Sequence, residues 1–152
     1  MIFKINKGES YVISEIWLQK LQEGGYRLTG PRRTVVEIIA NSERALSPME
    51  VFDLARPQHK GLGLVTVYRT LEKLEELALI QRVHQPEGCQ AFIAAFQGHE
   101  HLILCSKCGR VQFFEGDDLE ALIDKIGRQT GFCVQEHWLQ LFGLCGNCRT
   151  EG

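Results

Sequence analysis

A chain of 152 residues, 44% hydrophobic and 24% charged, has the make-up of a soluble globular protein of one domain or two small ones. Its net charge of −2 argues against bulk binding of polyanions, though not against a local DNA-contacting face. No apolar run approaches the ~20 residues of a membrane span. Met1-Ile2-Phe3-Lys4-Ile5-Asn6-Lys7 is not followed by the apolar core and cleavage site of a secretory signal, so a cytoplasmic location without a membrane partner is expected.

In chain order, residues 1–13 show no helical period and read as a loosely ordered arm. From Ser14, the residues Ile16, Trp17, Leu18 and Leu21 form an amphipathic stripe that stops at Gly24-Gly25. A second helix is predicted after Thr29, a candidate N-cap, with Pro31 in its first turn and Val35, Val36, Ile38 and Ile39 facing inward, ending near Asn41. Ser47-Pro48-Met49-Glu50 is a capping box that opens a short third helix carrying Val51, Phe52 and Leu54 up to Pro57. After Gly61-Leu62-Gly63, Val67, Leu71, Leu74 and Leu77 fall on one face of a fourth helix, with Thr66, Arg69, Thr70 and Lys73 mostly opposite. From Leu79 the period becomes strand-like. Two strands, Leu79 to His84 and Cys89 to Ala95, flank Gln85-Pro86-Glu87-Gly88 as a hairpin. Helices followed by a hairpin make a winged-helix pattern, although amphipathic helices alone are equally the mark of an ordinary helical domain.

Gln97-Gly98 reads as a hinge, dividing residues 1–96 from 97–152. Residues 1–98 hold 12 Lys and Arg against 11 Asp and Glu, and the remainder 5 against 8, a split that leans toward an N-terminal nucleic-acid module. Beyond the hinge come a strand from His101 to Leu104, a strand from Val111 to Phe114, and a helix opening at Asp117-Asp118. Leu119, Leu122, Ile123 and Ile126 form that helix's expected buried stripe, and a last strand is expected from Phe132 to Phe142. Two Cys-x-x-Cys knuckles stand in this part, Cys105-Ser106-Lys107-Cys108 and Cys145-Gly146-Asn147-Cys148, each with a glycine, Gly109 and Gly146. Four thiolates aimed at one point are the tetrahedral donor set of a structural zinc ion. The rival reading, disulfides or a redox dithiol, needs an oxidising compartment or a thioredoxin-like context.

Together these residues resemble the ferric uptake regulator family of metal-responsive repressors, over nearly the whole chain. Tyr26-Arg27-Leu28-Thr29-Gly30-Pro31-Arg32 is similar to that family's second helix, and Thr66-Val67-Tyr68-Arg69-Thr70-Leu71 to its recognition helix. His99-Glu100-His101-Leu102-Ile103-Leu104-Cys105-Ser106-Lys107-Cys108-Gly109 resembles its metal-binding strand and first knuckle. The resemblance implies an α+β chain, with an N-terminal winged-helix DNA-binding domain and a small C-terminal α/β dimerisation domain stapled by a four-cysteine zinc site. It also implies a homodimer on a palindromic double-stranded DNA operator. Arg27, Arg32, Thr66, Tyr68 and Arg69 would meet the DNA, and there would be no small-molecule substrate.

A closed four-cysteine site explains stability but not sensing. In a strand, His99 and His101 project to one face and Glu100 to the other. His84 and Cys89 flank the hairpin loop and, were it a regular four-residue loop, would be cross-strand neighbours. The expected regulatory set is therefore His84, Cys89, His99 and His101, whose occupancy would fix the angle between the domains. Glu100, Glu120 and His137 match a further metal site of the family. Where iron sensors carry a histidine before the third helix this chain has Arg44-Ala45-Leu46, and where they carry a carboxylate in the second wing strand it has Phe92-Ile93-Ala94. Thiolate with imidazole favours Zn(II) as the regulatory ion, with Fe(II) the alternative. That makes the chain more similar to a zinc uptake regulator than to an iron sensor or a peroxide-sensing member. A zinc or thiol enzyme is the remaining class. It lacks support because no nucleophile–base pair or phosphate-binding loop is visible.

Overall fold

The computed structural model describes residues 7–86, 88–95, 100–116 and 119–150. The expected hinge at Gln97-Gly98, residue His99 and the helix opening at Asp117-Asp118 lie outside them. The elements run α1 (Lys7–Glu23), α2 (Gly30–Ala40), α3 (Pro48–Ala55), α4 (Leu64–Glu76), β1 (Ile80–His84), β2 (Gln90–Ala94), β3 (Glu100–Cys105), β4 (Val111–Glu115), α5 (Leu119–Thr130), β5 (Gln140–Gly143) and α6 (Gly146–Thr150).

The four helices close around Trp17, Leu18, Leu21, Val35, Val36, Ile39, Val51, Val67, Leu71 and Leu74, joined by Leu79, Ile80 and Phe92 from the hairpin. α1 begins at Lys7, so the expected arm is helical from residue 7 onward. Once Ser14 to Leu21 is anchored by packing, each upstream turn adds a hydrogen bond without a new nucleus and needs no apolar period. α1 ends in a Schellman motif, with Gly25 at φ +80° and Tyr26 N–H bonded to the Leu21 carbonyl at 2.9 Å. α4 ends in the same motif, Leu79 N–H to the Leu74 carbonyl at 2.9 Å, but with Ala78 at φ +53° where glycine is the usual residue.

At α2, Thr29 holds the N-cap position but makes no side-chain cap bond. α3 has the expected box: Ser47 Oγ accepts from Glu50 N–H at 3.2 Å, and the Glu50 carboxylate accepts from Ser47 N–H at 2.8 Å. Three helical assignments differ from expectation. Ile16 and Leu54 are exposed, and Thr70 is fully buried because its hydroxyl donates to the Thr66 carbonyl at 2.7 Å, which satisfies it locally.

β1 and β2 form a two-stranded antiparallel wing. β3 is the centre of a second sheet, antiparallel to β4 and parallel to β5. The wing and this sheet meet through a second apolar cluster of Ala45, Val83, Ala91, Ile93, Leu102 and Leu104, with Val111 and Phe113 packed on it. Residues 43–46 run between the two sheets. Leu46 pairs with Phe92 of β2 at 2.8 and 2.9 Å, Ala45 N–H bonds the Gly109 carbonyl at 2.9 Å, and Val111 N–H bonds the Glu43 carbonyl at 3.0 Å. A Cβ on Gly109, which sits at φ +74°, would press within 3.3 Å of the Ala45 carbonyl oxygen.

The C-terminal part departs most from the sequence pattern. The strand expected over Phe132 to Phe142 is confined to Gln140–Gly143, and residues 132–139 take no regular structure. The stripe of α5 is not buried: Leu122 and Ile126 are 50% and 44% exposed. Among the described residues from 106 to 150, none is buried. Within one chain these apolar residues have no opposing layer, so their periodicity has no core to face.

Candidate metal centre and nucleic-acid interface

Parallel pairing of β3 with β5 sets Cys105 opposite Gly143 and brings both knuckles to the same end of the sheet. The first knuckle is a tight turn closed by Gly109 N–H on the Cys105 carbonyl at 2.9 Å, with Gly109 in the left-handed region. In the second, Gly146 opens α6 instead, and a Cβ there would meet nothing, so its glycine is not required by the turn. Cys145 and Cys148 are three apart around this helical start and share a face.

The four sulfurs of Cys105, Cys108, Cys145 and Cys148 all lie within 4.8 Å of one another. Sulfurs about 2.3 Å from a tetrahedral centre stand about 3.8 Å apart, and Cys108 Sγ and Cys145 Sγ are separated by 3.7 Å. The donor set and spacing fit a zinc ion. Electrostatics agree. Burial opposes ionisation of Cys105, but N–H groups of Cys145, Cys108 and Lys107 and the Cys108 side chain bring its thiol down to about 6. Cys148 is pushed up to about 12, first by its hydrogen bond with Cys145 and then by burial. Thiols this close ionise at each other's expense unless a cation balances them, and a divalent ion at their centre lets all four become thiolates.

The expected regulatory residues are not gathered in the same way. The hairpin register sets His84 opposite Gln90, and Gln85 N–H meets the Cys89 carbonyl at 3.3 Å. The loop is therefore three residues, not four, with Gly88 at φ +80°, and a one-residue slip sends Cys89 to the other face from His84. His84, Cys89 and His101 form no shared ligand group among the described residues. His101 is buried, with Phe114 at 5.7 Å and His137 at 5.2 Å between ring centroids. His137, expected on a strand, lies in the irregular stretch before β5 and is exposed, so it is not a core histidine. Glu120 is exposed in the first turn of α5, and the backbone of Glu100 opens β3. The pairing of His101 with His137 was not legible in the sequence, because it depends on how residues 132–139 fold back.

On α4, Val65, Tyr68 and Arg69 are exposed in a row while Val67, Thr70, Leu71 and Leu74 face the core. Thr66 is half-buried. Arg27 is exposed in the α1–α2 connection, and Arg32 donates to the Arg27 carbonyl at 2.6 Å. The ring of Tyr26 carries Arg32 at 5.1 Å and Lys73 at 5.3 Å, so cations from α2 and α4 share one aromatic support. An exposed helix face with aromatic and basic side chains over a packed helical core suits a DNA groove. Among the described residues no helix is long and apolar enough to cross a membrane.

Known proteins place this architecture. The model of the ferric uptake regulator family matches residues 23–142. The ferric uptake regulation protein of Cupriavidus metallidurans is 38% identical over 127 residues, spanning 82% of this chain and 88% of that protein. A zinc-bound manganese uptake regulator superposes with a TM-score of 0.69 at 27% identity, over 85% of this chain and 98% of that one. A zinc uptake regulator complexed with zinc and DNA shares the fold, with a TM-score of 0.67 at 21% identity over 93% and 96% of the two chains. Matched over most of its length in sequence, and built on the same fold, the chain belongs to the ferric uptake regulator family, whose members are metal-responsive, DNA-binding transcriptional regulators and not enzymes.

Proposed function

We propose that the protein is a cytoplasmic, metal-dependent repressor of metal-homeostasis genes that binds a palindromic operator as a homodimer, with zinc as its regulatory ion. The observation that carries this reading is the exposed row Val65, Tyr68 and Arg69 on α4, in the same chain as a four-thiol cluster spaced for zinc. Arg27, Arg32 and Thr66 supply the neighbouring contacts. Base and phosphate contacts divide among these residues as specificity and register.

Three features support the finer points. Leu122, Ile126, Phe132, Trp138, Leu141 and Phe142 are all exposed apolar residues of the C-terminal part, more than a monomer this size leaves bare, and a second copy is the partner that would cover them. Cys105, Cys108, Cys145 and Cys148 would hold structural zinc and sense nothing, since a closed site has no open position. His101 and His137, already in ring contact, are the nucleus of the regulatory site. His99, Glu100 and Glu120 are candidates to complete it. His84 and Cys89, expected there from the sequence, are better assigned to the wing.

Zinc is favoured over iron because the stretches where the iron sensors carry a histidine and a carboxylate read Arg44-Ala45-Leu46 and Phe92-Ile93-Ala94 and offer neither, with Ala45 and Ile93 buried in the apolar cluster between wing and sheet. The test is selection of duplexes from a random-sequence pool, followed by anisotropy titration of the recovered site with Zn(II) and Fe(II) side by side. A palindromic site with a gain of at least about tenfold in affinity on adding zinc is expected. Affinity unmoved by either metal sinks the proposal.

A further inference from the structure

Resting on that reading, we propose that Gln140, assisted by Trp138, is the positioning residue that transmits metal occupancy at His101 and His137 to the DNA-binding wing. The wing's outer edge at His84 has a backbone N–H and carbonyl pointing away from β2. Both are taken by one side chain: the Gln140 amide accepts from His84 N–H at 3.1 Å and donates to the His84 carbonyl at 2.6 Å. A carboxamide presents donor and acceptor side by side, as a peptide does, so Gln140 pairs with the strand edge like one residue of a further strand. Trp138 adds an edge-on contact to the His84 ring at 5.4 Å between centroids.

The same short stretch carries the sensor. His137 sits against His101, Trp138 against His84, and Gln140 both enters β5 opposite Leu102 and clasps His84. Residues 132–138 are otherwise irregular and exposed, so few of the described contacts fix where His137 and Trp138 stand. An ion shared by His101 and His137 would tie this stretch to β3. Ordering His137 restricts its neighbour Trp138 and the approach of Gln140, and with them the wing end. The other described wing–sheet contacts, the apolar cluster and the bonds along residues 43–46, contain no metal-ligating side chain in their paired atoms. Among the described residues, the clasp is therefore the wing contact that lies on the same stretch as a sensor histidine.

The experiment compares wild type with Gln140→Leu, which removes both bonds while leaving the β5 backbone pairing, and with Gln140→Glu, which keeps the acceptor and loses the donor. Each is prepared with its thiol-bound zinc and titrated with Zn(II) while duplex affinity, Trp emission and amide exchange at His84 are followed. Trp138→Phe assigns the emission signal, since Trp17 is buried and is the second of the two tryptophans. Gln140→Leu is expected to bind zinc, to exchange its His84 amide faster, and to lose about tenfold of the zinc-dependent gain in DNA affinity. Gln140→Glu should fall between. By reciprocity, DNA should tighten zinc binding in wild type and not in Gln140→Leu. A full wild-type gain retained by Gln140→Leu overturns the clasp and leaves the repressor reading intact. A wild type whose DNA affinity ignores zinc overturns both.

Discussion

The C-terminal part has no buried residue among those described from 106 to 150, so what joins its last segment to the rest can be tested by removing the metal knuckle. The perturbation is the double variant Cys145→Ser, Cys148→Ser, which takes two of the four donors. Without them, the described ties of β5 and α6 to the rest of the chain are the β3–β5 ladder, the Gln140 clasp and the backbone N–H at Cys145 on Cys105 Sγ at 3.4 Å. Cys108 and Cys145 are 37 positions apart, and a cross-link closing a loop of that size removes unfolded-state entropy equivalent to about 4 kcal/mol. No buried side chain is lost, so the cost should be near that figure and confined to the C-terminal part. Zinc content measured on purified protein should drop. Urea titration should show a separate, earlier transition, and the amides of the β3–β5 ladder, including Ser106 N–H on the Gly143 carbonyl, should exchange faster while those of α2 and α4 do not. Wild-type zinc content, or a loss below about 1 kcal/mol with the ladder still protected, would refute the staple.

Other sites give independent checks. Leu104→Ala, at a side chain 1% exposed in the cluster between wing and sheet, should cost about 2–5 kcal/mol in chemical unfolding and so show that the two sheets unfold together. Ala78→Gly should raise stability by up to roughly 1 kcal/mol, because it relieves a left-handed residue at a Schellman position; a melting point at or below wild type argues against strain there. Ile126→Asp on the bare stripe of α5 should leave the folded monomer intact in circular dichroism but weaken self-association at least tenfold or so by sedimentation, and an unchanged dimer would mean that this face is not the interface. Arg69→Ala should cost about 1–3 kcal/mol of operator binding with relaxed sequence choice if it reads a base, whereas a uniform loss with a shallower salt dependence marks a phosphate contact.

How legible the molecule was depends on what each feature rests on. The helices of the N-terminal part were read correctly where a local signal and a core agreed: the Ser47 and Glu50 box, the Gly25 stop, and the inward rows of α2 and α4. Leu54 and Thr70 broke the rule in opposite senses. A short helix has room for an exposed leucine, and a threonine can bury its hydroxyl by bonding back one turn. A strand is expected over Phe132 to Phe142, yet a strand needs a neighbour to pair with, and β3 is paired with β5 only from Leu102 to Cys105.

The sequence by itself determined the ligands and their local geometry: Cys-x-x-Cys at each knuckle, the aromatic and basic row of α4, and hence a metal-responsive regulator of the ferric uptake regulator family. Those features are short-range, fixed by residue type and spacing within one turn or one strand. Tertiary structure decided which of the remaining ligands can meet. A three-residue hairpin loop parted His84 from Cys89, and the fold-back before β5 set His137 against His101 and Gln140 against His84. Those pairings join residues more than 35 positions apart, and such contacts are set by register and packing, which no local pattern encodes.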